Sequence, residues 1–304
     1  MKKLYGVVVP LVTPFDREGR VDPGVLRAHV DDLIGAGVHC LYPCGTTGEM
    51  FKLSLDERRL IDRTVVEAAA GRAVVFAQVG AMSTADTISL AQNARACGAD
   101  GIGVVTPAFF GLSERALEEH FCAVAASVPE LPVYLYAIPQ CAVNDITPAL
   151  AARVAERAPN VVGIKYSYPN MPRILEMIEI RNRTFSVLCG QDALLYSVLE
   201  AGGEGTVSGA ANVLPEQYVA IYEAFRRGDH ALALRLQRKA NRLGKIINGA
   251  NNIGKYKAAL PRLRGIDAGK LRLPGENLSE EETDRLVEAL EALAWRDPMA
   301  GLED

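Results

Sequence analysis

The sequence contains no stretch of the roughly 18 consecutive apolar residues that a membrane-spanning helix needs. Its six cysteines form no CxxC pair and its four histidines no HxxxH pair, so the spacing supports no metal site, and no cofactor is expected. There is no basic surplus either: 33 Lys and Arg are scattered among 37 Asp and Glu. That argues against nucleic acid or an anionic membrane surface as a partner. No glycine-rich dinucleotide fingerprint follows the first apolar run. The start, Met1-Lys2-Lys3-Leu4 followed by Tyr5 to Pro14, is broken by two prolines and has no small-residue cleavage site before Asp16. We read it as a first strand and expect a cytoplasmic protein with reduced thiols.

What is present suits a large folded core, with 49% hydrophobic and 23% charged residues over 304 positions. Strand-like runs are expected at Gly6–Val9, Cys40–Pro43, Val74–Val79, Gly101–Val105, Val133–Tyr136, Val161–Lys165, Ser186–Leu188 and Gly205–Ser208. Amphipathic helical stretches alternate with them: Pro23–Ala36, Leu55–Ala70, Thr84–Cys97, Glu114–Ser127, Pro148–Arg157, Pro172–Arg181, Ala193–Ala201 and Pro215–Arg227. Eight such units with strands apolar on both faces predict an α/β chain folded as a (β/α)8 TIM barrel. An open doubly wound sheet is the competitor, weakened by the missing fingerprint.

After Gly228 strands cease, and three helices are expected at Asp229–Leu243, Asn251–Leu260 and Ser279–Trp295, the last opened by the capping box Ser279-Glu280-Glu281-Glu282. We therefore divide the chain into a barrel over 1–228 and a C-terminal helical extension over 229–304. No linker separates the two, so the extension is expected to pack on the barrel as one structural unit.

The chemistry of such a barrel sits at the C-terminal strand ends. Lys165 ends the run Asn160-Val161-Val162-Gly163-Ile164-Lys165, and desolvating an ammonium on an aliphatic strand is costly. A lone strand-end lysine is ordinarily a surface residue, but its company changes the reading. Gly45-Thr46-Thr47-Gly48-Glu49 follows the second strand, with hydroxyls and tight backbone able to hold an oxyanion. Thr106-Pro107 follows the fourth, and Tyr136 ends the fifth before Ala137-Ile138-Pro139. Gly190-Gln191-Asp192 follows the seventh, and Ser208-Gly209 ends the eighth. An amine, a phenol and several hydroxyls on one rim suit covalent capture of a carboxylate-bearing ligand.

The Gly-Thr-Thr-Gly-Glu loop, the Tyr-x-x-Pro at 136–139, the Gly-Ile-Lys at 163–165 and Gly203 to Ser208 with Asn212 resemble the dihydrodipicolinate synthase/N-acetylneuraminate lyase family, in order and from about Gly6 to Leu293. The resemblance implies a class I, Schiff-base lyase on a (β/α)8 barrel, commonly a homotetramer. Lys165 would attack a 2-oxo acid and leave an iminium that acts as an electron sink. Tyr136 would move protons, and Thr46 and Thr47 would hold the substrate carboxylate, with Thr47 also counted as catalytic. Ser167, Gly190, Asp192 and Ser208 complete the expected substrate side.

Departures from the family pattern point away from its lysine-pathway branch. Where that branch has two aromatic residues, one a tyrosine reaching a neighbouring subunit, this chain has Ala108 and Phe109. Where it has an arginine for the second substrate's carboxylate, this chain has Cys141, which offers no bidentate charge recognition. Tyr166-Ser167 resembles the lyase and sugar-acid aldolase branches, as does Asp192, while Ala193 in place of their usual glutamate weighs against N-acetylneuraminate itself.

The expectation is an aldolase or dehydratase for a short or sugar-derived 2-keto-3-deoxy acid, with pyruvate as product. The alternatives are the synthase condensing pyruvate with aspartate semialdehyde, and a non-catalytic 2-oxo acid binder. Cys44, Cys141 and Cys189, all near strand ends, admit two readings: a redox-sensitive thiol cluster, or small residues filling tight space.

Overall fold

Aliphatic runs apolar on both faces need cover on both sides, and parallel pairing with helical crossovers supplies it. In the computed structural model, which describes residues 2–302, eight parallel strands close into a barrel in chain order. They are β1 (Gly6–Pro10), β2 (Cys40–Tyr42), β3 (Val74–Gln78), β4 (Gly101–Val105), β5 (Val133–Ala137), β6 (Val161–Tyr166), β7 (Ser186–Cys189) and β8 (Gly205–Val207). Closure runs through Gly6↔Gly205, Val7↔Thr206 and Val8↔Val207.

Helices α1 (Pro23–Gly35), α2 (Leu55–Ala69), α3 (Thr84–Ala96), α4 (Glu114–Ala126), α5 (Pro139–Ala142), α6 (Pro148–Arg157), α7 (Met171–Ile178), α8 (Leu195–Glu200) and α9 (Pro215–Arg226) surround it. Their starts are encoded locally. Ser54, Ser83, Ser113 and Thr147 each accept a backbone N–H of the first turn, and Pro23, Pro139, Pro148 and Pro215 sit where a helix can spare its donor. No helix among the described residues is long and apolar enough to cross a membrane.

The barrel interior is filled by a few large rings facing residues that have no side chain. Tyr42, Phe76 and Tyr134 are fully buried with Leu4, Val8, Cys40, Leu188 and Val207. A Cβ on Gly101 would lie 2.2 Å from the Phe76 ring, one on Gly103 1.7 Å from Tyr42 Oη, and one on Gly163 2.5 Å from the Tyr134 ring. Large-opposite-nothing packing closes the barrel floor beneath the C-terminal strand ends.

The extension is α10 (His230–Ile247), α11 (Asn252–Arg264) and α12 (Glu280–Glu291). α10 packs along α9, and α12 lies on α10 and α11. Arg264 fastens α11 to the barrel: its side chain, 3% exposed, reaches Asp32 of α1 at 2.5 Å and Glu216 of α9 at 3.0 Å.

Structure and sequence expectation differ at several boundaries, most clearly in five elements. β6 runs on through Lys165 to Tyr166, because both neighbours continue to pair with it. Residues 139–142, expected to be loop, form the single turn α5, with Pro139 in its first turn. α10 and α11 run longer than expected, α11 continuing through Pro261, while α12 stops at Glu291.

Removing the Arg264 fork leaves two carboxylates that are only about a quarter exposed. Arg264→Ala is expected to cost about 2 to 3 kcal/mol, seen as a lower urea midpoint with an unchanged slope.

Candidate active site

The geometry of the rim starts from strand register. Tyr136 of β5 and Lys165 of β6 are register partners, so their side chains emerge side by side. Lys165 is only 4% exposed, and its Nζ lies 3.8 Å from the Tyr136 ring centroid and 5.3 Å from that of Tyr42. A cation on this nitrogen is therefore held against two aromatic faces. Tyr42 and Tyr136 themselves meet edge to face, with centroids 6.5 Å apart.

Tyr136 Oη and Thr46 Oγ1 share a hydrogen bond of 3.2 Å, which ties the phenol to the loop after β2. That loop folds on itself: the amides of Gly48 and Met50 donate to the Gly45 carbonyl, and that of Glu49 to the Thr46 carbonyl. The N–H groups of Gly45, Thr46 and Thr47 have no protein acceptor among the described residues. Unpaired amides and two hydroxyls make a concavity suited to an anion.

A cavity of ≈ 480 Å³ opens above Lys165, and Thr46, Thr47, Tyr136, Ser167, Gly190 and Asp192 line it. Ser208 does not: Val207 and Gly209 face the cavity instead, while Ser208 Oγ accepts the Ala211 amide at 3.1 Å. Gly190 has a steric reason to be glycine, since a Cβ there would fall 1.8 Å from Ser167 Oγ.

Asp192 is held in place by Asn248 Nδ2 at 3.0 Å and Tyr218 Oη at 3.3 Å. Burial pushes its carboxyl above the usual range, and hydrogen bonds from Ser208, Asn248 and Tyr218 oppose that shift. Asn212 Oδ1 lies 2.9 Å from His29 Nε2 and accepts the Val12 amide at 3.0 Å, so it knits the exits of β1 and β8 together.

A model of the dihydrodipicolinate synthetase family matches residues 3–293. The chain belongs to this family. It is 35% identical over 289 residues to a 4-hydroxy-tetrahydrodipicolinate synthase of Methanospirillum hungatei, covering 94% of this chain and 98% of that protein. Among solved structures, it superposes with a TM-score of 0.89 and 32% identity on YagE, an E. coli K12 prophage protein of the dihydrodipicolinic acid synthase family in complex with pyruvate, over 96% of this chain and 99% of that one. A catalytic-lysine mutant of Ruminococcus gnavus sialic acid aldolase gives a TM-score of 0.91 at 26% identity, over 97% and 98% of the two chains. The protein is thus a lyase of this family's Schiff-base, aldolase type.

Several residues of this family member's cavity escaped the sequence reading. Tyr42 lies inside the barrel and contributes a ring face beside Lys165. Asn248 and Asn252, from the junction of α10 and α11, line the cavity together with Gln140 and Gln191. Nothing in the local sequence of a helical extension marks an asparagine as facing a distant strand end. Only the alternation of inward and outward residues on β2 could have singled out Tyr42.

The cysteines do not form the cluster that their position near strand ends allowed. Of the three, only Cys141 lines the cavity. Cys44 is buried with its Sγ 3.7 Å from the Arg58 carbonyl, and Cys189 is buried against the Gly205 and Gln191 carbonyls. Burial drives the Cys44 thiol far up and that of Cys189 to about 11, so neither offers a thiolate near neutrality. Iodoacetamide at pH 8 is expected to modify Cys141 first in the native protein and to leave Cys44 and Cys189 untouched. Peptide mapping checks this, and equal labelling of Cys44 would mean that the loop after β2 opens.

Proposed function

We propose that the protein is an aldolase for a 2-keto-3-deoxy sugar acid, with pyruvate as one product. The observation that carries this reading is the inventory of ionisable groups around the cavity: among the described residues, Lys165 is the one basic side chain that lines it and Asp192 the one carboxyl side chain. The remaining polar lining consists of neutral amides and hydroxyls, among them Gln140, Gln191, Asn248, Asn252, Thr46, Thr47 and Ser167. One carboxylate on the substrate meets the amide-lined loop after β2, and an uncharged, hydroxylated tail meets the amides and Asp192.

The chemistry follows from the rim. The neutral amine of Lys165 adds to the C2 ketone, and Tyr136, bonded to Thr46, passes the proton that lets water leave the carbinolamine. The iminium then draws in the electron pair of the C3–C4 bond as the C4 hydroxyl gives up its proton to Tyr136, which has passed its own to the departing water. This leaves an aldehyde and the enamine of pyruvate. Protonation at C3 and hydrolysis return pyruvate and the free lysine. The ring faces of Tyr136 and Tyr42 sit beside the nitrogen that carries the iminium charge.

A second reading, condensation of pyruvate with aspartate semialdehyde, is favoured by the similarity to the Methanospirillum hungatei synthase. It would require a partner for a second carboxylate, and the position that the resemblance assigns to an arginine is the exposed Cys141 on α5. We also take the exposed pair Phe109 and Phe110, 76% and 67% accessible and packed edge to face at 5.0 Å, as part of a contact between copies in a homotetramer.

Borohydride reduction in the presence of pyruvate is expected to leave a stable adduct on Lys165, found by intact mass and peptide mapping and absent in Lys165→Ala. Among added acids, a 2-keto-3-deoxy sugar acid should be cleaved and aspartate semialdehyde should not be consumed. Turnover unchanged in Lys165→Ala would end the Schiff-base reading. Tyr136→Phe should lower kcat by about 10²- to 10⁴-fold while the adduct still forms slowly.

A further inference from the structure

Glu49 ends the hydroxyl loop yet lies outside the set of residues that line the Lys165 cavity. Its backbone is left-handed, with φ 59°, a conformation that costs a non-glycine residue about 1 kcal/mol or more. Its side chain is 1% exposed and grips three groups. Oε1 lies 2.9 Å from Nζ of Lys257 on α11, while Oε2 lies 3.1 Å from Lys52 Nζ and accepts the Arg272 amide at 3.2 Å. The Lys257 side chain is itself 2% exposed, and its Nζ lies 4.2 Å from the Phe15 ring centroid. Lys52 Nζ also donates to the Arg272 carbonyl at 2.8 Å, so the segment after α11 is bound to the same point.

A buried ion pair is seldom the most stable way to fill such a space, because desolvation offsets the attraction. Its position suggests what it does. The Glu49 amide donates to the Thr46 carbonyl at 3.0 Å, and the Met50 amide to that of Gly45. Whatever fixes Glu49 therefore fixes the turn whose Thr46 and Thr47 line the cavity. We propose that the Glu49–Lys257 pair is the positioning clamp of the carboxylate-binding loop, by which the C-terminal extension sets affinity for the 2-oxo acid without touching it. This rests on the reading that Thr46 and Thr47 hold the substrate carboxylate.

The charged groups that face Lys257 are Glu49 and Lys52 from the loop after β2 and Arg272 from the segment after α11; Glu57 of α2 pairs with Arg272 behind them. Burial brings the Lys257 ammonium down to about 8 from the usual 10.5, with Glu49 opposing the shift. Below that pH the clamp is charged; above it, Glu49 keeps only Lys52 and the Arg272 amide. The folded value lies below the unfolded one, so the penalty for burying the ammonium is present at neutral pH and is relieved as pH rises through 8. Deprotonation of Lys257 should therefore weaken affinity without unfolding the protein.

The test is the pyruvate concentration that half-saturates the borohydride-trapped Lys165 adduct, measured at pH 7 and pH 9 in the wild type, Lys257→Arg and Lys257→Met. Arginine stays charged throughout, so it subtracts any pH effect that belongs to Lys165. Relative to Lys257→Arg, the wild type should need about tenfold more pyruvate at pH 9 and a similar amount at pH 7. Lys257→Met should already show the higher requirement at pH 7, with the same maximal adduct. Lys257→Met and Lys257→Arg half-saturating at the same pyruvate concentration at pH 7 would overturn the proposal, and Lys257→Gln takes the place of Lys257→Met if the latter does not fold. Absence of any adduct in the wild type would instead remove the Schiff-base reading itself, and the clamp with it.

Discussion

The register between β5 and β6 is the constraint on which the site depends. Val133 pairs with Val161 but Tyr134 pairs with Gly163, so the ladder slips by one residue and Val162 is left over as a bulge. The slip carries through the rest of the pair and sets Tyr136 opposite Lys165. Side chains alternate along a strand, so without the slip Tyr136 would face Ile164 and the lysine would lose its ring. Gly163 makes the bulge possible: a Cβ there would lie 2.4 Å from the Ser186 carbonyl oxygen and 2.5 Å from the Tyr134 ring. The Gly-Ile-Lys sequence is thus a geometric device as much as a carrier of the amine.

Around this pair the protein separates its tasks by depth. The floor is made of rings facing glycines and is closed to solvent. The next layer holds Lys165 between the ring faces of Tyr42 and Tyr136. The rim is polar, lined mainly by amides and hydroxyls such as Gln140, Gln191, Asn248, Asn252, Thr46, Thr47 and Ser167. The two buried thiols nearest the site, Cys44 and Cys189, are unionised fillers beneath it. Cys141, standing where the resemblance implies an arginine, makes this end of the cavity neutral as well.

The extension adds more than cover. Asn248 and Asn252 line the cavity, and Lys257 reaches Glu49 of the loop after β2. Arg264 anchors the same helix to α1 and α9. One helix, α11, thus contributes a cavity residue, a buried charge partner and a structural fork. These three contacts fix the placement of α11 against the barrel.

Much of this was legible in the residues taken in order. Eight runs apolar on both faces, each followed by an amphipathic stretch, demand a covered parallel sheet, and the caps at Ser54 and Ser279 fix helix starts by local hydrogen bonding. Lys165, Tyr136 and the Thr46–Thr47 loop could be found because barrel chemistry gathers where strands end. Ser208 also stands at a strand end, yet it stays out of the cavity lining and bonds the Ala211 amide and Asp192 instead. Tyr42, Asn248, Asn252 and the Glu49–Lys257 pair were invisible to that reasoning, since their partners lie far along the chain and contact depends on packing angles. The sequence by itself determined which segments become strands and helices and which of them carry reactive groups, because periodicity and capping are short-range. Only the tertiary structure decided which groups meet, because register, bulge and the docking of α11 arise from steric fit between segments distant in sequence.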